Sequence, residues 1–284
     1  MIPQVTKHEF DLVQLFKDHQ RTIIMGVVNT TPDSFSDGGN FLDPTLAVAH
    51  ALRLVSEGAD IIDIGGESSR PGSDPVSEFE ELRRVIPVIQ ALAGNITMPI
   101  SVDTYKSPVA RKALESGATI VNDITALTGD SKMAATVAEF DAGLVLMHMR
   151  GSPKEMQRNT GYADLIGEIS DFLASAIRVA EAAGVNPDKI MIDPGIGFGK
   201  DVDGNLAIIK SVSRFKQLGK SVLIGASRKS FIGRISGATT ESRLAGSLAA
   251  AVAAVLNGAD AVRVHDVLET RQAVDMALKL RKDS

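Results

Sequence analysis

A single-domain α/β fold, the (β/α)8 barrel, is the architecture this sequence predicts, and three observations predict it. A short apolar, β-branched run, a polar loop and an amphipathic helix follow one another about eight times along the chain. Strands that alternate with helices pair in parallel through right-handed crossovers. The 284-residue length suits such a barrel, which takes about 250 residues. A doubly wound open sheet is the alternative, and it would normally carry a glycine fingerprint after its first strand; none is present.

The strands are read in order from their apolar runs. Ile23–Val28 ends at Asn29, and Asp60–Ile64 opens into Gly65-Gly66-Glu67-Ser68-Ser69-Arg70-Pro71-Gly72. Pro99–Val102 ends at Asp103, Thr119–Val121 at Asn122-Asp123, Leu144–Met147 at His148 and Lys189–Ile192 at Asp193. Ser221–Ile224 leads into Gly225-Ala226-Ser227-Arg228-Lys229, and Ala261–Val264 contains Arg263 and ends at His265-Asp266. Helical periodicity covers Leu46–Glu57, Glu78–Ala93, Pro108–Ser116, Lys132–Phe140, Leu165–Ala183, Asn205–Leu218, Arg243–Asn257 and Val267–Arg281. Gly58, Gly117, Gly184, Gly219 and Gly258 stand where helices stop, as glycine does at helix C-termini. Residues 1–22 are read as an N-terminal extension packing on the barrel of residues 23–284.

Composition narrows the function. The chain is 44% hydrophobic and 23% charged, ordinary for a globular protein. A net charge of −5 argues against general nucleic-acid binding, which calls for a basic domain. The absence of cysteine removes disulfides and thiolate chemistry. Met1 to Arg21 mixes charges among apolar residues and lacks the core of a signal peptide. The apolar run Leu244–Leu256 is too short to span a bilayer. A cytoplasmic protein is expected. That same run is apolar nearly all round, whereas an outer barrel helix needs a polar face, so it predicts a homodimer interface formed by late helices including residues 243–257.

A barrel keeps its active site at the C-terminal ends of its strands. There the sequence places Asn29, Asp63, Asp103, Asn122, His148, Asp193, Lys229, Arg263 and His265. A polar residue ending one strand is ordinary, because loops begin there; a set converging on one barrel mouth points to a site. Asp103, Asp193 and Asn122 together offer carboxylate and carboxamide acceptors, suited to a flat ring edge with several N–H groups such as an amino-pyrimidine. Lys229 can donate to a ring carbonyl or nitrogen. Arg263 and His265 alternate along one strand and share a face; with Asn29 across the mouth they suit an anion such as a phosphate, and Asn29 offers a neutral oxygen to Mg2+, which commonly has one protein ligand beside phosphates and water. In the stretch from Gly26 to Gly39 the strand gives way at Asn29 to a long polar loop that carries Phe35, Asp33 and Asp37 and is read as a binding loop. Asp193-Pro194-Gly195-Ile196-Gly197-Phe198-Gly199-Lys200 lacks the ending of a phosphate cradle; its glycines permit close backbone approach, with Phe198 over the ligand. His148 has no second histidine nearby and is not read as a zinc ligand, and no Gly-x-Ser-x-Gly elbow supplies a serine nucleophile.

Taken together these stretches resemble the dihydropteroate synthases of folate synthesis. The resemblance runs from about Ile23 to near the C-terminus and rests on ordered motifs: Asn29-Thr30-Thr31-Pro32-Asp33-Ser34-Phe35-Ser36-Asp37-Gly38-Gly39, the Gly65–Gly72 loop, Ser101-Val102-Asp103-Thr104, Asn122-Asp123-Ile124, Met147-His148-Met149, the Asp193–Lys200 loop, Ser227-Arg228-Lys229-Ser230 and Arg263-Val264-His265-Asp266. It implies a barrel enzyme that joins 6-hydroxymethyl-7,8-dihydropterin diphosphate to 4-aminobenzoate, giving 7,8-dihydropteroate and diphosphate, with Mg2+ and as a homodimer. It implies pterin-binding positions at Asp103, Asn122, Met147, Asp193, Phe198 and Lys229. Diphosphate positions fall on Asn29, Ser69, Arg70, Arg263 and His265, with Asn29 also toward the metal. Aminobenzoate positions fall on Phe35, Ser69, Arg70, Pro71, Phe198, Lys229 and Ser230. The catalytic set is Asn29, Asp37, Arg70, Asp103, Lys229, Arg263 and His265, with Asp37 or a nearby water as proton acceptor. Two residues depart from the family pattern: Ser69 stands where threonine is usual, and Tyr105 where a small residue is common. A corrinoid-type pterin methyltransferase domain or a non-catalytic pterin-binding relative are the rivals; neither needs the two loops and the Arg263–His265 pair.

Overall fold

The computed structural model describes residues 14–15, 21–31, 44–70 and 72–281. Eight strands form a closed barrel in sequence order: β1 (Ile23–Asn29), β2 (Ile61–Gly65), β3 (Ile100–Asp103), β4 (Ile120–Asp123), β5 (Gly143–Met147), β6 (Ile190–Asp193), β7 (Ser221–Ile224) and β8 (Ala261–Val264). Every neighbouring pair is parallel, and β1 closes on β8 with Ile23 opposite Ala261. The strands are apolar on both faces because both are covered. One face points into the barrel, where Ile23, Met25, Ile61, Ile120, Val145, Met191, Leu223 and Ala261 fill the lower interior. The other face, with Ile24, Val28, Ile62, Val102, Leu144, Ile192 and Val262, packs under the helices.

The helices are α1 (Pro44–Ser56), α2 (Glu78–Ala93), α3 (Ser107–Glu115), α4 (Met133–Glu139), α5 (Leu165–Ala182), α6 (Val202–Lys210), α7 (Val212–Phe215), α8 (Ser230–Ser236), α9 (Leu244–Leu256) and α10 (Val267–Arg281). Side-chain caps start several of them. Ser77 accepts from the Glu80 amide, Asp164 from that of Gly167 and Asp201 from that of Gly204. Such caps satisfy amides that a helix start leaves unpaired. The five predicted stop glycines all take positive φ, from 72° at Gly219 to 114° at Gly117.

One helical segment differs from the sequence expectation. The stretch read as one helix over Asn205–Leu218 begins earlier, at the Asp201 cap, and breaks at Ser211 (φ −109°, ψ 18°), followed by α7 and a 3-10 turn over Lys216–Leu218. Buried Ile208, Ile209, Val212 and Phe215 keep one apolar face through the break, which is why periodicity alone ran straight across it. The seven-residue α8 begins at Ser230, where a helix start was expected after the seventh strand; it is too short to show an amphipathic period of its own and ends at Gly237 (φ 73°).

The lower rim is tied by ion pairs. Asp60 accepts from the Ile24 amide at 2.8 Å and from Arg21 at 2.8 Å, and it also bonds buried Arg271. Leu15 packs beside the lower interior cluster. On the outside, α9 buries Ala250, Ala251, Ala254 and Val255, while Leu244 and Leu256, with Leu268, Met276 and Leu280 of α10, remain exposed. Among the described residues, no helix is long and apolar enough to cross a membrane.

Candidate active site

Strand register assembles the site. Asn29 lies opposite Gly65, Gly65 opposite Asp103, and Asp103 opposite Asn122. Met147 lies opposite Asp193 on the far side. Alternation along each strand then turns the first member of a pair inward and the next outward. Asn122 faces the interior, while Asp123 folds the following loop, accepting from the Thr125 and Leu127 amides at 2.8 Å each. Met147 faces inward, while His148 turns out to Lys200 and Phe172.

Above the apolar floor a narrow slot opens, lined by Ser69, Asp103, Asn122, Ile124, Met147, Asp193, Phe198, Gly225, Ser227, Lys229, Arg263 and His265. One wall is an ionic cluster. Arg263 donates through Nε to Asp63 at 2.6 Å and through Nη2 to Asp103 at 2.7 Å, and Asn122 donates to Asp63 at 3.2 Å. Burial lifts the Asp103 carboxyl to about 7, with Arg263 opposing the rise and Asp63 adding to it. Burial also acts against the Arg263 charge, but Asp63 and Asp103 more than offset it and hold the guanidinium firmly protonated.

The opposite wall joins Asp193, Phe198 and Lys229. Asp193 accepts from the Gly195 amide at 2.7 Å, and burial raises its pKa. Lys229 Nζ lies 3.9 Å from the Phe198 ring centroid, a cation–π geometry. Burial, aided by Arg263, lowers the Lys229 ammonium to about 8, with Asp193 and Asp103 opposing. Buried Lys200 backs this wall. Its Nζ donates to His148 Nδ1 at 2.8 Å, to the His148 carbonyl at 3.1 Å and to the Gly195 carbonyl at 2.9 Å. Gly195, at φ 73°, has no room for a Cβ, which would overlap the His148 carbonyl.

His265 stands at the slot's mouth beside Ser227, whose Oγ accepts from the His265 amide at 3.3 Å and lies 3.1 Å from Nδ1. A hydroxyl that accepts from the amide can give its own proton to Nδ1, which leaves Nε2–H as a donor. Burial and Arg263 lower the His265 pKa to about 3, so the ring works as a neutral donor.

The expected residues thus separate by depth. Asp103, Asn122, Met147, Asp193, Phe198, Lys229, Arg263, His265 and Ser69 share the slot. Asn29 lies half-buried at the end of β1, and Arg70 and Ser230 are exposed outside the slot lining. Phe35, Asp37 and Pro71 lie outside the described residues. Arg263 does more than the anion contact expected of it: two of its N–H groups go to Asp63 and Asp103, so it also neutralises the acids of that wall. Asp63 was placed in the barrel-mouth set without a task of its own, and Lys200 and Ser227 were assigned none. Their strand-end or loop positions were visible, but their partners lie 38 to 200 residues away.

The sequence matches the family described as pterin binding enzyme over residues 25–265, the span that holds the whole barrel mouth. The chain belongs to the pterin-binding enzyme family. Within this family it is similar to the dihydropteroate synthase of Synechocystis sp., with 46% identity over 93% of this chain and 91% of the relative. It also resembles the Xanthomonas albilineans dihydropteroate synthase solved with 4-aminobenzoic acid (TM-score 0.87, 44% identity, 92% of this chain and 94% of that one). The same bacterium's enzyme in complex with 7,8-dihydropteroate matches at TM-score 0.83 and 42% identity, over 92% of this chain and 94% of that one. The eight-stranded barrel is the architecture that this pterin-binding family shares with those structures.

Proposed function

We propose that this chain is a transferase, a dihydropteroate synthase, which joins 6-hydroxymethyl-7,8-dihydropterin diphosphate to 4-aminobenzoate and releases 7,8-dihydropteroate and diphosphate. One observation carries the proposal: two acids, a carboxamide and a lysine face one another across a slot with an Ile124–Met147–Phe198 wall. That arrangement fits a flat, N–H-rich bicyclic ring inserted edge-on. Charge-assisted hydrogen bonds of this kind are worth about 1.5–3 kcal/mol each.

In this mechanism Asp103, Asn122 and Asp193 accept from the pterin ring and Lys229 donates to it. The remaining N–H groups of Arg263 and the His265 Nε2–H stabilise the charge that develops as diphosphate departs. Asp103 and Asp193 shield the pterin cation, and the aminobenzoate amine then attacks the exocyclic carbon. The bond to diphosphate breaks, the C–N bond forms, and the amine proton passes to Asp37 or a water beside it. No protein residue becomes covalently attached. Ser69, Arg70, Phe35, Pro71 and Ser230 are assigned to the second substrate and its loops.

Mg2+ fits as the ion beside diphosphate. Among the described residues no group of three or more His, Asp or Glu side chains forms a metal cage, so an ion would share the Asn29 carboxamide oxygen with ligand oxygens and water, as Mg2+ does. When bound it supplies neutralisation of phosphate charge. The exposed apolar side chains of α9 and α10 support the homodimer expected from the sequence.

The test is diphosphate release from the pterin diphosphate with Mg2+, with and without 4-aminobenzoate, while dihydropteroate is followed in parallel. Coupled release and product formation are expected. Pterin binding with no turnover would instead favour a non-catalytic relative or a methyltransferase domain.

A further inference from the structure

The loop after β2 is braced by its own Ser73 and by groups of neighbouring elements. Ser73 Oγ donates to the Ser68 carbonyl at 2.5 Å and to that of Arg70 at 2.8 Å, and the Gly72 amide donates to the Pro153 carbonyl at 3.1 Å. Its two ends meet at Glu67, whose Oε2 accepts from the Val76 amide at 3.0 Å and from Lys106 at 2.5 Å. Lys106 also bonds buried Glu81 of α2, and Arg84 Nη1 donates to the Gly66 carbonyl at 2.8 Å. The other oxygen of Glu67, Oε1, accepts from the Tyr105 hydroxyl at 3.0 Å. The Tyr105 ring in turn packs against the Ile124–Met147–Met156–Phe198 cluster, three of whose members line the slot.

We propose that Tyr105 is a positioning residue for the second substrate: its ring rests on the slot wall, and its hydroxyl fixes Glu67 and with it the loop that carries Ser69 and Arg70. The proposal rests on the dihydropteroate synthase reading for its kinetic consequence, but not for its structural one. Without the hydroxyl, Glu67 Oε1 loses its tyrosine donor and the carboxylate can rotate away from the Val76 amide. The loop then samples more poses, and the ligand must select the competent one. That selection raises an apparent dissociation constant without altering the chemical step. The polar walls contributed by the ends of β3, β4 and β6 are untouched.

Tyr105→Phe removes the oxygen and keeps the ring, so the slot wall stays packed. Expected is a rise in KM for 4-aminobenzoate of about three- to tenfold, the scale of one hydrogen bond. The kcat and the dissociation constant of the pterin diphosphate should stay within about twofold of wild type. An unchanged KM, or a KM that moves together with the pterin constant, overturns the proposal. Tyr105→Leu, which also removes the wall contact, should weaken the pterin as well. Hydrogen exchange at the Val76 and Gly72 amides gives a second measurement that needs no turnover. Exchange should be faster in Tyr105→Phe; unchanged exchange overturns the Tyr105–Glu67 link even if wild type forms no dihydropteroate, an outcome that would sink the functional reading instead.

Discussion

The barrel carries an aspartate–arginine cluster at each end, and the two are built differently. At the lower rim, both Asp60 oxygens are in use: the Ile24 amide and Arg271 hold one, and Arg21 holds the other. Arg271 also donates to the Thr22 and Gly58 carbonyls, leaving its Nε as the one buried side-chain atom of this cluster without a partner among the described residues. At the upper end, Asp63 Oδ1 and its register neighbour Ser101 Oγ are buried with no partner among the described residues, and among those residues the hydrogen bonds to Asp63 and Asp103 come from side chains. The lower cluster clamps β1 to α10 through main-chain groups. The upper one packs two carboxylates against one guanidinium in a wall of the slot. An ion cluster that staples backbone is spent on the fold, whereas one made of side chains alone, with acceptors left over, is poised for a ligand.

Breaking the lower cluster should have the largest effect on stability. Arg271→Met leaves the Asp60 charge buried with fewer partners, which costs about 3–5 kcal/mol. Denaturant titration should report that loss, while kcat/KM measured under folding conditions stays within about threefold of wild type. A comparable loss of activity with no loss of stability would invert the comparison.

Arg263→Met is the matching change at the top. Removing a preorganised donor from a site of developing charge lowers kcat by about 10²–10³-fold, and steady-state turnover checks it. The cost in unfolding free energy should be smaller than for Arg271→Met, because Asp103, already lifted to about 7, can take a proton. An equal cost would mean that the upper cluster is as structural as the lower.

The mildest probe is pH. Asp103 titrates near 7 and Lys229 near 8, both displaced chiefly by burial. Below 7 the carboxyl gains a proton and stops accepting; above 8 the lysine loses its charge. The ionised pair is therefore most populated between those values, and pterin affinity should fall by up to about tenfold per pH unit on either side. Calorimetric titration across that range checks it. Asp103→Asn should flatten the acid limb while also weakening the pterin by about 1.5–3 kcal/mol.

The sequence made the strands legible, because a parallel strand covered on both faces is a short apolar run and its end is marked by the first polar residue. Asp103, Asn122, Asp193 and Lys229 could be gathered into one pocket on that basis. Register could not be read, and register decides which neighbours face inward: it makes Asn122 a site residue and Asp123 a loop anchor. Arg263 was found, but its partnership with Asp63 and Asp103 spans 200 and 160 residues and exists only once β8 closes on β1. Lys200 closes a glycine-rich segment that lacks the ending of a phosphate cradle; its task, binding the His148 and Gly195 carbonyls beyond the ends of β5 and β6, leaves no pattern in a linear chain. Tyr105 was conspicuous as a departure, and its meaning came from Glu67, 38 residues away.

The row formed by Asn29, Gly65, Asp103 and Asn122 also constrains how such a protein can change over generations. Side chains alternate with a period of two, so one residue inserted into or deleted from any of these strands would turn its polar end out under the helices and bring an aliphatic residue in. Lengthening a loop leaves the row intact and carries only a slowly growing entropic cost. Variation in length among descendants of this chain should therefore collect in the segments between strands and helices, with the strands themselves holding a fixed residue count.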